Sequence, residues 1–412
     1  MKKQIYSLIA LAFLAVMISS CGKDDTPDIP GGGGGDNNHP ELWHYDGKIK
    51  GLADIVPAID ESGNIYFAGT EEGAAGGSFH FVSVDKNGNE RWDKTITATG
   101  AASYVVYADG KVFVGIDDPV SIHAFDAGSG DEIWTKDYAA DYDFIWMPAM
   151  AYANHTLYVS SGQMLEGFLF AVNPNDGSEL WINRLYDDYF LNVAVDGSKI
   201  YVGGMGEVTC FTDNGGVADS TWHWEADSKA SRGFAFSDIN IAENGNLYIR
   251  EGIKVYIISS ASGQVIATAD LSTEFENSSS GLTIDGDGNF YIGNGDWYKF
   301  SGDGSLVWKT DIQAGVINPN YVEAPAIAEN GNLYNGELFS LSCVKSNGSL
   351  NWMIGTEQGV GNLHPVVIDH DGNLITYSTE KGVLYCYKGD GSKLATSGWP
   401  KRYGSMGNTC SK

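Results

Sequence analysis

The sequence predicts an all-β chain, an eight-bladed β-propeller of four-stranded antiparallel blades, with seven as the alternative count. Three observations carry this prediction. Glycine occurs 53 times in 412 residues alongside 22 Tyr, 17 Phe and 11 Trp, a mixture suited to short strands and tight turns, because glycine reaches positive φ and aromatic rings suit pleated surfaces. A Gly-x-x-x-Trp pattern recurs as Gly88 to Trp92, Gly130 to Trp134, Gly177 to Trp181, Gly304 to Trp308 and Gly348 to Trp352. Neighbouring tryptophans stand 42, 47 and 44 residues apart, the length of one blade. A Gly/Asn turn followed by an alternating strand also repeats, as in Gly63-Asn64-Ile65-Tyr66-Phe67, Gly245-Asn246-Leu247-Tyr248-Ile249 and Gly288-Asn289-Phe290-Tyr291-Ile292, which is a hairpin signal.

In chain order, residues 1–20 come first as a signal peptide. Lys2 and Lys3 precede an apolar run from Ile5 to Ile18, too short for a membrane span and right for a signal-peptide core. The run ends in Ser19-Ser20-Cys21, which resembles a bacterial lipobox, and that resemblance implies that Cys21 becomes the first mature residue and carries the lipid. Residues 21–40 hold Pro27, Pro30 and five consecutive glycines, Gly31 to Gly35, and read as a flexible tether. Lys23-Asp24-Asp25 resembles an acidic surface-export signal, with an ordinary solvated tether as the other reading. The propeller is assigned to residues 41–412.

Within the propeller each unit runs from a Gly/Asn turn through a strand such as Ser121–Phe125 to a second turn and the tryptophan-bearing strand. Degenerate copies, Gly263 to Ala267 and Gly391 to Ala395, fill two gaps, and Trp222 or Trp224 serves another. With the strand that precedes each Gly/Asn turn, a unit has four strands. Radial stacking buries sheet faces that a single unit would expose. Glu41-Leu42-Trp43-His44-Tyr45 looks like an outer strand standing ahead of the first full unit, so Trp43 is expected to complete the last blade and join the chain ends. The competing arrangement gives that blade its own strand from Ser392 to Thr396.

The stretch Ile122-His123-Ala124-Phe125-Asp126-Ala127-Gly128-Ser129-Gly130-Asp131-Glu132-Ile133-Trp134, and a second copy from Phe170 to Trp181, resemble the blade motif of pyrroloquinoline-quinone-like repeat propellers. The resemblance covers about 41–412. It implies that Trp43, Trp92, Trp134, Trp181, Trp308 and Trp352 are structural and pack between blades. One kind within this family comprises quinoprotein dehydrogenases with calcium and adjacent cysteines. This chain has no adjacent cysteines and is more similar to the non-catalytic kind, the lipoprotein propeller of the outer-membrane β-barrel assembly machinery.

Chemistry is sparse. Lys+Arg total 25 against Asp+Glu 53, a formal charge of -28, which argues against nucleic acid as a partner. Beyond Cys21 the cysteines are Cys210, Cys343, Cys386 and Cys410, without metal or haem spacing. Cys210 and Cys386 align with Ala124 and Ala171 as small core positions, and a Cys386–Cys410 bridge is the alternative. The eight histidines form no metal-ligand array, and no nucleophile elbow or phosphate loop occurs. Asp285-Gly286-Asp287-Gly288-Asn289 has the oxygens of a calcium loop but lacks its distal glutamate, and hairpin turn is the preferred reading. No metal and no cofactor are expected; pyrroloquinoline quinone and calcium stay open.

Residues just before the inner strands should ring one mouth of the central channel. They include Asp54, Trp146, Asn192, Asp238, Glu323 and His364, a set able to hold a sugar or a peptide. Tyr138, Tyr142, Phe144 and Trp146 add aromatic residues in an inter-blade connection, suited to protein or glycan contact. The function expected is a non-enzymatic, lipid-anchored scaffold binding a protein or polysaccharide at the outer membrane, periplasmic or on the cell surface. The alternative is a propeller enzyme acting on glycans or a quinone-dependent dehydrogenase.

Overall fold

Turn chemistry starts each blade. In the first, Asp60 Oδ1 accepts the backbone N–H groups of Ser62 and Asn64 at 2.9 and 2.8 Å, while its other oxygen accepts the Asn64 amide and the Tyr66 hydroxyl at 2.7 and 2.8 Å. Gly63 takes φ 83° there, a conformation that costs glycine little. Asp285 and Asp369 clamp Asn289 and Asn373 in the same way. Asp285 thus sits in a hairpin turn, its carboxylate taken up by Asn289, by the Tyr291 hydroxyl at 2.8 Å and by Lys299 Nζ at 3.3 Å. Burial works against its charge, but those donors outweigh it and hold its pKa below the ordinary carboxylate value.

The computed structural model describes residues 38–47, 49, 56–71, 78–98, 102–142, 148–163, 166–186, 192–204, 206–226, 239–271, 281–293, 296–310, 324–336, 340–355, 365–378 and 381–412. These residues form eight four-stranded antiparallel sheets, the blades of a propeller. The first contains Ala58–Ile59, Ile65–Thr70, Ser78–Val84 and Glu90–Thr97, and the same order repeats through the seventh, which ends with Leu350–Gly355. Among the described residues the single helix is Tyr138–Tyr142, and none is long and apolar enough to cross a membrane. Antiparallel alternation places the turns from first to second and third to fourth strand on one rim of the ring. The links from second to third strand and from blade to blade leave the opposite rim.

A one-residue bulge precedes each indole. In the first blade Trp92 faces Ser83 but Glu90 faces Val84, so Arg91 is extra; Ile133, Leu180, Val307 and Asn351 are extra in the same way before Trp134, Trp181, Trp308 and Trp352. A bulge bends the edge strand and re-aims the next side chain, here into the seam with the following blade. Small residues stand opposite most of these indoles: Ser83, Ala124, Ala171, Cys210, Cys343 and Cys386. All four described cysteines are buried and none forms a disulfide.

The repeated glycine and the repeated tryptophan are two halves of one contact. The indole N–H of Trp43 donates to Lys86 O at 3.0 Å, that of Trp92 to Ala127 O at 3.2 Å, that of Trp134 to Pro174 O at 3.0 Å and that of Trp308 to Ser346 O at 3.1 Å, always in the next blade's last turn. Trp222, not Trp224, plays this part in the fourth blade, donating to Ser260 O. The glycine of that turn lies flat on the ring. A β-carbon on Gly88, Gly130, Gly177, Gly263 or Gly348 would come 2.5–2.7 Å from the preceding blade's indole. The fifth blade has Ala267 in place of an indole, and there Gly304 rests directly on the backbone of Thr268 and Ala269.

Closure joins the two ends of the chain. The strand Glu41–Asp46 pairs with Val383–Tyr387, with Trp43 opposite Cys386, and so supplies the outer strand of the eighth blade. The third-to-fourth turn of this blade is therefore split: Lys388 N donates to Pro40 O at 2.9 Å without a covalent link. The rival arrangement, an outer strand from Ser392 to Thr396, is overturned. Leu394 bridges Ala328 and Ala395 N donates to Ile327 O, so the chain turns toward the channel instead. Competition favours Glu41–Asp46 because it offers the bulge and the indole that Ala395 cannot.

Candidate ligand-binding channel and closure seam

The last residues of the chain cross the channel at the rim that carries the hairpin turns. Trp399 exchanges two backbone hydrogen bonds with Ile284, at 2.8 and 2.9 Å. The carbonyls of Pro400, Met406, Gly407, Thr409 and Cys410 accept the N–H groups of Ile327, Ile59, Tyr107, Tyr152 and Val195 at 2.7–3.0 Å. Six inner strands are joined this way, and a seventh blade is reached by Lys412 Nζ, which donates to Ala242 O at 2.9 Å. Inner strands present unpaired backbone groups toward the axis, and this segment satisfies them.

A buried hub holds the segment in place. Lys401 Nζ donates to Arg402 O at 2.9 Å and to Asn408 Oδ1, and the Asn408 amide donates to Val56 O and Val105 O at 2.8 and 2.9 Å. Lys401 is 1% exposed. Burial, against a small opposing pull from Cys410, lowers its pKa to about 7. Tyr403 stacks on Tyr104 with centroids 3.7 Å apart.

Of the six side chains assigned to the channel mouth, Asn192 is the one among the described residues. It begins the inner strand Asn192–Asp196, at the end facing the opposite rim, and lines a cavity of about 20 Å³ with Tyr104, Val193, Ile239, Trp399, Tyr403 and Cys410. Asp54, Trp146, Asp238, Glu323 and His364 lie outside the described residues, as does Cys21. Tyr138 and Tyr142 are not a free aromatic surface. Tyr138 is fully buried against Phe170, and the Tyr142 hydroxyl donates to both oxygens of Glu179, because the short helix folds their rings onto the third blade.

A second concavity marks the closure seam. Where the other blades carry a continuous turn, a cleft of about 600 Å³ opens between His39, Asn351, Trp352, Asp371, Lys388 and Asp390. Gly391 touches no ring there, and the His39 imidazole stacks on Trp352 at 4.0 Å in its stead. Asp390 collects the Trp352 indole N–H at 3.1 Å and the Tyr334 hydroxyl at 2.9 Å. Among the described residues no group of three His, Cys, Asp or Glu is placed to hold a metal ion.

Sequence reasoning missed the channel segment. Its signals were present: Trp399, Pro400, Tyr403 and Cys410 are unusual for a solvated tail.

A family model described as outer membrane protein assembly factor BamB matches residues 118–388. Solved structures share the fold. BamB from Moraxella catarrhalis is 16% identical with a TM-score of 0.53 over 85% of this chain and 98% of that chain. The computationally designed Ika8 protein is 12% identical with a TM-score of 0.62 over 84% and 99%. A europium-containing methanol dehydrogenase is 11% identical with a TM-score of 0.64 over 85% and 93%. No curated protein matches in sequence.

Proposed function

Because the chain belongs to the family of outer membrane protein assembly factor BamB, we propose that it is a non-catalytic scaffold, lipid-anchored through Cys21, that holds a protein partner at the outer membrane. Residues 1–20 act as the signal peptide, 21–40 as the tether and 41–412 as the propeller. The observation that carries the non-catalytic reading is the C-terminal segment, which fills the channel mouth with Trp399, Tyr403 and Cys410 and leaves about 20 Å³ beside them. Binding then falls to the rims.

The opposite rim is the one offered to a partner. Glu41 pairs with Tyr387 at the hairpin-turn rim, so the tether leaves from the face that the C-terminal segment closes. Asp54, Trp146, Asn192, Asp238, Glu323 and His364 are assigned to the other face. A formal charge of -28 favours a partner with a basic surface and speeds its encounter. Polysaccharide is the alternative ligand for this rim, and the surface of the cell the alternative to the periplasmic face.

Crosslinking in native outer membranes followed by mass spectrometry tests the reading. A protein partner linked to the blade-to-blade connections is the expected result, together with release of a Cys21→Ser variant from the membrane. The dehydrogenase-like fold keeps an enzyme as the second reading. A quinone absorbance in the purified chain, or turnover on a glycan panel with no crosslinked protein, would replace the scaffold by that enzyme.

A further inference from the structure

At one level of its second and third strands the seventh blade lacks the bulky apolar pair that several other blades carry. At the level just past the clamped turn, the second and third strands pair Val159 with Phe170, Ile249 with Tyr256 and Ile292 with Tyr298. The seventh blade pairs Asn335 with Ser342 at this level. Ser340 and Ser342 share a face with Val344, which packs against Tyr291 and Trp297 of the sixth blade. Thr283, opposite Tyr291, looks into the same seam.

Four polar atoms on these facing strands lack partners. Thr283 Oγ1, Trp297 Nε1, Ser340 Oγ and Ser342 Oγ are buried and make no hydrogen bond within the protein, and each of these residues is at most 1% exposed. Buried hydroxyl and indole N–H groups are almost always satisfied, by protein or by ordered water. Ser342 is also smaller than Phe170, Tyr256 and Tyr298 at the same level of their blades.

The C-terminal segment makes its densest contacts across this seam. Trp399 binds Ile284 of the sixth blade through two hydrogen bonds, while Ala395 and Pro400 bind Ile327 of the seventh. Lys393 O accepts Glu329 N at 2.8 Å and Ser392 Oγ accepts Asn330 N at 3.1 Å. Residues 392–400 therefore bridge the two blades from the channel side.

We propose that the seam between the sixth and seventh blades is a hydrated joint, in which ordered water links Trp297 Nε1 to the hydroxyls of Thr283, Ser340 and Ser342, and that residues 392–400 are the strap that holds it shut. A wet joint opens more readily than a dry one, because water is already in place to receive the exposed groups. This ring then has a designated point of opening, and its release depends on the strap.

Hydrogen exchange of the full chain, read by mass spectrometry, tests both parts. Amides of Trp297–Phe300 and Ser340–Val344 are expected to exchange at least tenfold faster than those of Glu166–Val172, the third strand of the third blade. Trp399→Ala should widen that ratio, and Ser342→Val in the same chain should narrow it by displacing the water. Equal protection in all third strands would overturn the joint. Acceleration by Trp399→Ala that spreads evenly over the blades would overturn the strap. A high-resolution crystal structure with no water within hydrogen-bonding distance of Trp297 Nε1 or Ser342 Oγ would also sink the hydrated seam.

Discussion

Gly88 and Trp43, forty-five residues apart, meet face to face: a β-carbon on Gly88 would lie 2.5 Å from Cε3 of the indole. Glycine is needed here twice over, once for this approach and once for its φ of 80°. Gly88→Ala should lower the unfolding free energy by about 2–4 kcal/mol, combining left-handed strain with overpacking. Gly110→Ala has the same kind of backbone, φ 72°, but open space around it, and should cost about 1 kcal/mol. Urea unfolding of the two variants separates the effects.

The fifth blade breaks the repeat with Ala267, and restoring the repeat is expected to harm the fold. Gly304 already sits against the backbone of Thr268 and Ala269, its β-carbon position 3.1 Å from Ala269 N. An indole at 267 has no slot to enter. Ala267→Trp should destabilise by about 1–3 kcal/mol, whereas Trp134→Ala, which empties a filled slot, should cost about 3–5 kcal/mol. Thermal melts of both variants check the two values.

Lys401 makes the docking of the C-terminal segment depend on pH. Its folded pKa, about 7, lies below the free value of about 10.4, so the unfolded chain binds more protons between those limits and stability rises with pH there. Below about pH 7 both states are protonated, so the slope vanishes and the full cost of burying the charge is present. Buried tyrosines and thiols, whose pKa values are pushed up, act in the opposite sense at high pH. The effect is therefore read as the difference between the native chain and Lys401→Met from pH 6 to 9. The native midpoint should climb more steeply than that of the variant.

The four described cysteines should resist modification in the folded state. Cys343 is buried and its thiol is pushed up to about 12, chiefly by burial and with a smaller push from Asp390; burial raises Cys210 as well. The thiolate is the reactive form, so iodoacetamide should label these positions slowly until denaturant is added. Intact mass under non-reducing conditions should show Cys386 and Cys410 unbridged.

The blades were legible in the sequence because glycine and tryptophan each report a contact that no other residue type makes as well. The closure was legible too, since Trp43 stood before the first unit with no turn of its own. Cys343 escaped notice as a small residue opposite an indole because its neighbours Ser342 and Ser340 hide the apolar alternation. The segment from Lys393 to Lys412 escaped because it is held by backbone carbonyls, which leave no periodicity in the side chains. At the channel mouth, Asn192 alone could be placed, beside Tyr403 and Cys410.

The split turn at Lys388 and Pro40 has a consequence for biogenesis. The first strand to leave the ribosome waits for the last blade's Val383–Tyr387, over three hundred residues later, before it gains a partner. Until then every growing intermediate has an open circle and an unguarded sheet edge at each end, a state prone to pairing with neighbours. Completion is thereby a single late event that fastens start to finish, so a truncated product would announce itself by failing to bury Trp43.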